Sequence, residues 1–223
     1  MSRGPRLLLL GKQGAGKGTQ AARLADHYRV VHLSTGDLFR AAIRARTPYG
    51  QLAQPYMDSG ELVPDEVVIG LVREYFTNNR ELDRGYVLDG FPRTAFQAEA
   101  LDGILGGESL DVVVHLEVDD AIVLDRLAGR RTCTGCGQIY HVNHPPKRPW
   151  FCDLCGEAVV QRDDDTEAAI ARRLELYHNE TVPLLSYYSA QDLLVTVDGV
   201  GATDEVFARL VRVVDANHAP AVS

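Results

Sequence analysis

The chain predicts an α/β fold, a doubly wound, parallel, five-stranded sheet with helices on both faces. Two observations carry this. Short apolar runs at 7–10, 30–33, 85–89, 111–118 and 193–197 alternate with stretches that hold apolar residues at helical spacing, the pattern of strands joined by crossover helices. The run at 111–118 includes three consecutive valines, Val112, Val113 and Val114, which suits a parallel strand buried on both faces. Ligands of such sheets bind at the carboxyl ends of the strands. Chemistry is therefore sought in the residues just after each run.

The first run, 7–10, leads into a glycine-rich turn, and residues 17–28 then place Ala21, Leu24, Ala25 and Tyr28 on one helical face. Residues 30–33 form a second strand. Ser34 with Asp37 reads as a capping box that opens a helix through residue 46. Residues 47–50, with Pro48 and Gly50, are expected to break it, and 51–59 to form a short helix that kinks or ends early at Pro55. Pro64 stands at the favoured first position of a helix to residue 78, with Asp65 and Glu66 in its first turn. The strand 85–89 leads to a helix capped by Thr94 and running to residue 105. The strand 111–118 is followed by a helix to residue 129, capped by Asp119 or Asp120. Residues 130–163 carry all four cysteines and little periodicity, so they read as an insertion. A long helix opened by Asp165 or Thr166 reaches residue 188 with a bend at Pro183. The last strand, 193–197, precedes a helix over 203–216, and 218–223 reads as a frayed end.

Composition narrows the classes. A net charge of −8 argues against a dedicated nucleic-acid binder. No apolar run approaches the roughly 20 residues that span a bilayer. The two arginines among the first six residues precede only four leucines, which is a strand and not an export signal. A reducing cytoplasm is the expected compartment, where cysteines bind metal more often than they pair.

The turn after the first strand reads Gly11-x-x-x-x-Gly16-Lys17, the spacing of a phosphate loop. Its glycines let backbone N–H groups approach an anion, the new helix points its positive end there, and Lys17 adds a full charge. Gly18 stands where Ser or Thr would hold magnesium, with Thr19 one residue later. Arginines recur at the ends of elements facing the strand termini: Arg40, Arg93, Arg126, Arg130, Arg162 and Arg173. Guanidinium forks suit two anionic phosphate groups held in line for phosphoryl transfer. Asp89 ends an apolar strand, the place of an acid that works beside magnesium. The cysteines form two C-x-x-C pairs, Cys133 with Cys136 and Cys152 with Cys155, a spacing that points to tetrahedral zinc. Four thiolates close such a site, so the metal is structural, and His141 and His144 between the pairs are read as non-ligands.

Together, the phosphate loop, Ser34-Thr35-Gly36-Asp37-Leu38-Phe39-Arg40, Asp89-Gly90-Phe91-Pro92-Arg93-Thr94 with Gln97, Asp125-Arg126 with Arg130-Arg131, and Arg162-Asp163-Asp164-Asp165 with Arg173 resemble the adenylate kinase family in its long-lid form. The likeness runs from about residue 7 to residue 213, and the Asp-Gly-Phe-Pro-Arg string is its most specific part. The resemblance implies a monomeric enzyme that converts ATP and AMP to two ADP with Mg2+. It implies a core of 1–33, 64–129 and 164–223, an AMP-binding flap at 34–63, and a lid at 130–163 holding structural Zn2+. It implies that Gly14, Ala15, Gly16, Lys17, Gly18 and Thr19 take the ATP phosphates, and that the ATP adenine meets backbone at Ile139, Tyr140 and Gly201. It implies an AMP set of Thr35, Arg40, Glu61, Leu62, Val63, Gly90, Phe91, Pro92, Arg93, Gln97, Arg162 and Arg173, with Gln97 reading the base. Arg126, Arg130, Arg162 and Arg173 are implied to close on the phosphates, and Asp89 to hold magnesium through water with help from Asp37. Gln13, Pro64 and Gly201 depart from residues common in the family, and none removes a catalytic group. A GTP-using relative stays open, because backbone contacts encode the donor base poorly. A zinc-ribbon nucleic-acid module on an NTPase-like core is disfavoured by the acidic balance and by the lack of an arginine-aromatic stripe.

Overall fold

Parallel pairing of the short aliphatic runs organises the molecule. The computed structural model describes residues 3–162 and 164–218. In chain order the first elements are β1 (Arg6–Leu10), α1 (Lys17–Tyr28), β2 (Val31–Ser34), α2 (Thr35–Arg44), α3 (Pro48–Ser59), α4 (Asp65–Asn78) and β3 (Tyr86–Asp89). Next come α5 (Ala95–Leu105), β4 (Val112–Glu117), α6 (Asp120–Ala128), β5 (Arg130–Cys133), β6 (Ile139–His141) and β7 (Val159–Val160). The chain closes with α7 (Glu167–Leu176), α8 (Val182–Ser189), β8 (Leu194–Asp198) and α9 (Thr203–Asn217).

The five strands read from the sequence form one parallel sheet in the order β2-β3-β1-β4-β8. Alternation of side chains along β1 divides the core in two. Leu7 and Leu9 join Leu24, Val114, Leu127, Ile170 and Leu210 on the face covered by α1, α6, α7 and α9. Leu8 and Leu10 join Phe39, Val72, Leu101 and Leu184 on the face covered by α2, α4, α5 and α8. Every residue of β1 is buried, so the strand that feeds the glycine-rich turn is clamped from both sides. β5, β6 and β7 form a separate three-stranded antiparallel sheet, with β5 in the middle. This sheet was not legible in the sequence, since its strands are two to four residues long.

Several boundaries differ from expectation. The break expected at 47–50 falls at 45–47: Thr47 caps α3 by accepting from Gly50 N at 3.2 Å, and Pro48 begins the helix, where its fixed φ fits. Pro55 does not end α3. It is exposed, so the carbonyl it leaves unpaired can be hydrated. Pro64 sits just before α4 and not within it. The long helix is interrupted by a π-helical turn, Tyr177–Thr181, directly before Pro183. Wide turns of this kind absorb the hydrogen bond a proline cannot donate. A short 3-10 turn at Arg80–Arg84 had no sequence signal. His218, expected to be frayed, has Nδ1 3.2 Å from Asp111 Oδ2 and Nε2 3.2 Å from Arg3 O. The rest of that tail, 219–223, lies outside the described residues, as does Asp163.

Candidate active site

β1 delivers the chain into the turn, and Gly16 precedes α1 at φ 100°, a left-handed conformation that strains any side chain. No side chain caps α1, and its first turn holds no acid. The first N–H groups therefore face outward with the positive end of the helix dipole unneutralised, which is the geometry that takes an anion. Lys17 Nζ folds over the same turn and donates to Gly11 O at 2.6 Å and Lys12 O at 2.8 Å. Loss of hydration pulls its pKa down to about 8; Asp89 opposes the change, and Arg93 and Arg130 add to it. Arg126 donates to Ala15 O at 3.2 Å and Gly199 O at 3.3 Å, spanning from the turn to the end of β8.

Asp89, the last residue of β3, stands against this turn. A Cβ placed on Gly18 would lie 3.3 Å from its Oδ2. Burial works to raise the Asp89 carboxyl, but His32, Lys17 and Arg93 outweigh it and hold the group below the usual carboxylate range. His32 Nε2 is 3.8 Å from Asp89 Oδ2, and sequence reasoning had not singled out this histidine. Thr35 Oγ1 lies 3.5 Å from Asp89 O. Arg93 Nε donates to Gly90 O at 2.9 Å, which folds the guanidinium back over the strand end. Phe91 and Pro92 are buried and joined by a cis peptide bond.

Arg40, Arg130 and Arg173 converge on Arg93 and Arg162 closely enough to depress those two. Burial first, then Arg173 and Arg40, push Arg93 down to about 10; burial, then Arg40 and Arg130, do the same to Arg162. A guanidinium keeps its proton at neutral pH, so the crowding is felt as a positive field awaiting anions. Two acids to which sequence reasoning had not assigned this role hold the cluster. Asp165, with a fully buried side chain, takes Arg130 in a fork, Nε at 2.7 Å from Oδ2, and lies 3.6 Å from Arg173 Nη1. Asp164 pairs with Arg173, and Asp37 with Arg40 at 2.5 Å. Arg162 Nε donates to Thr132 Oγ1 at 3.0 Å. The available signal was consecutive acids beside an arginine in an otherwise cationic constellation.

The remaining predicted residues are partly engaged elsewhere. Gln97 is buried; its Nε2 donates to Asp65 Oδ1 at 2.7 Å and its Oε1 accepts from Arg93 N at 2.8 Å. That leaves one N–H and one lone pair of the amide. The Glu61 side chain points to α7, where Arg172 holds it, and Val63 is buried. Tyr140 turns its hydroxyl to Cys152 Sγ at 3.5 Å and accepts from Asp153 N at 2.8 Å. Among the described residues no hydrogen bond joins Ile139 or Tyr140 to Gly201.

All four cysteine Sγ atoms lie within 4.8 Å of one another. Cys133 and Cys155 are 3.3 Å apart, and Cys136 and Cys152 are 3.5 Å apart, sulfur to sulfur. Tetrahedral zinc at about 2.3 Å from each thiolate separates its sulfurs by roughly 3.8 Å, so the cluster fits that ion. Backbone N–H groups of Cys136 and Leu154 approach the sulfurs of Cys133 and Cys152 at 3.5 and 3.4 Å. His141 and His144 are not in the cluster.

A family model described as adenylate kinase matches residues 9–193. A protein of Lachnospira eligens named adenylate kinase is 48% identical over 211 residues, covering 93% of this chain and 99% of its own. Proteins of the same name from Clostridium botulinum strain Loch Maree and Acidothermus cellulolyticus are 48% and 49% identical, each covering 92% of this chain and 96% of its own.

Proposed function

The chain belongs to the adenylate kinase family, and from that premise we propose that it transfers the γ-phosphoryl group of ATP to AMP, reversibly and with Mg2+, giving two ADP. The observation that carries the reading is the meeting of an uncapped helix N-terminus, Lys17 and five crowded guanidinium groups around the end of β3. Phosphoryl transfer asks a protein mainly to align two anionic substrates and neutralise the charge that develops between them.

In this reading the backbone of residues 14–19 cradles the ATP phosphates. Lys17 exchanges its two carbonyl partners for phosphate oxygens and follows the transferred group. Arg40 and Arg93 take the AMP α-phosphate, while Thr35, Gln97 and the backbone of 61–63 hold the nucleoside. The free N–H and lone pair of Gln97 suit an adenine edge. Arg126, Arg130, Arg162 and Arg173 bind along the phosphate chain; Asp164 and Asp165 hold Arg173 and Arg130 in place until substrate arrives. Asp89 would hold magnesium through water, and an ionised acid directly beside Gly18, which brings no hydroxyl, fits a hard cation with oxygen ligands. That ion, when bound, neutralises phosphate charge. The cysteine cluster would hold zinc as a structural clip for the segment.

The reading divides the chain into a core (1–33, 64–129, 164–223), a flap (34–63) and a lid (130–163) that close over the substrates and exclude water. It includes a monomer of the cytoplasm: among the described residues no two cysteines form a disulfide, which suits a reducing compartment, and no helix is long and apolar enough to cross a membrane. The test is ADP formation from ATP, AMP and Mg2+, with GTP and UMP substituted in turn. Absence of ADP overturns the proposal, and equal rates with GTP point to the alternative donor.

A further inference from the structure

We propose that Arg172 is a positioning residue for the acceptor side of the reaction, its guanidinium fork holding the C-terminal hinge of the flap against α7. This rests on the reading that the backbone of 61–63 lines the AMP pocket. α3 ends at Gly60, which takes φ 77°. A Cβ there would come within 2.8 Å of Ala169 O and 3.0 Å of Ala169 Cα, so the hinge backbone lies directly on α7. Three residues along that helix, Arg172 reaches the same spot. Its Nε meets Glu61 Oε1 at 2.7 Å, its Nη2 meets Glu61 Oε2 at 3.1 Å, and its Nη1 meets Glu175 Oε2 at 2.7 Å. All three guanidinium nitrogens are thus held by carboxylates. Gly60 N and Glu61 N donate to Met57 O at 3.2 Å and Tyr56 O at 2.8 Å, which caps α3 but does not tie it to α7; the two-pronged pair adds that tie and fixes direction as well as distance. The next residue, Arg173, pairs with Asp164 and Asp165, and Asp165 holds Arg130 at the base of the lid. Of two consecutive residues of α7, one is therefore tied to the flap that carries Arg40, and the other, through Asp165, to Arg130 at the base of the lid.

The ion pair is half-exposed, so its effect is modest. Arg172→Met keeps the aliphatic stem and removes the fork. We expect the AMP KM to rise about fivefold, the scale of an exposed but bidentate pair, while the ATP KM and kcat stay within about twofold. Glu175→Gln removes the other partner and leaves the AMP KM unchanged. Glu61→Gln raises it as Arg172→Met does, and the double variant raises it no further. Exchanging the charges, Glu61→Arg with Arg172→Glu, gives a lower AMP KM than either exchanged single. The proposal is overturned if the AMP KM of Arg172→Met is unchanged, if the two single effects multiply, or if both KM values rise together. Failure of the functional reading shows separately, as wild-type protein that makes no ADP.

Discussion

The Lys17 ammonium is held by two backbone carbonyls in a poorly hydrated turn, and its pKa in the free protein is about 8. Since kcat/KM reports the free enzyme, kcat/KM for ATP should fall as pH rises through about 8. One unit above that midpoint roughly a tenth of the molecules keep the charge, so the fall approaches tenfold per unit, about 1.4 kcal/mol. In the complex the phosphate oxygens stabilise the ammonium and raise its pKa, so kcat should stay flat over the same range. Lys17→Arg retains its charge and should show no such fall. Lys17→Met should lower turnover about 100-fold or more and flatten the profile, with little change in AMP affinity. The assay is the initial rate of ADP formation from pH 7 to 9.5 at constant ionic strength. A wild-type kcat/KM for ATP that is flat to pH 9.5, or a Lys17→Met protein that still shows the fall, would refute the assignment of Lys17 to the donor phosphates.

Arg93→Lys keeps the charge and loses the fork; AMP affinity and turnover should drop together, and AMP titrations with unchanged constants would remove Arg93 from the acceptor site. Asp165→Asn leaves Arg130 and Arg173 facing a neutral group in a buried setting. Removing one partner of such a pair costs about 3 kcal/mol, which should lower the melting temperature by roughly 6–12 °C in a calorimetric scan. Cys152→Ser with Cys155→Ser should abolish one bound zinc per chain by atomic emission and lower the melting temperature. The variant should keep a substantial part of its activity in the cold, because four thiolate ligands leave zinc no open position for substrate. A folded, cold, inactive variant would contradict that. An inhibitor joining two adenosines should protect amides of 34–63 and 130–163 from hydrogen exchange, and equal exchange with and without it would count against closure.

Much of this molecule is written locally. Strand runs, helix caps at Ser34, Thr94 and Thr166, and the turn from Gly11 to Lys17 depend on residues a few positions apart, so period, capping chemistry and glycine placement suffice to read them. The two C-x-x-C pairs likewise announce their cluster by spacing, and the Asp89–Arg93 string points to the family on its own. Where one residue supports two local outcomes, only packing chose between them. Pro48 could break a helix or begin one, and the Thr47 cap with the packing of α3 on α2 made it a beginning. Pro183 could bend the long helix or stop it, and the π turn let the chain continue. The ion pairs that hold the arginine cluster were out of reach of any local rule. Asp165 and Arg130 are 35 residues apart and Glu61 and Arg172 are 111 apart, and their carboxylates meet those guanidinium groups only once the sheet has brought α7 against the flap and the base of the lid. A side chain's type states which partner it can take; only the folded backbone decides which partner comes within about 3 Å.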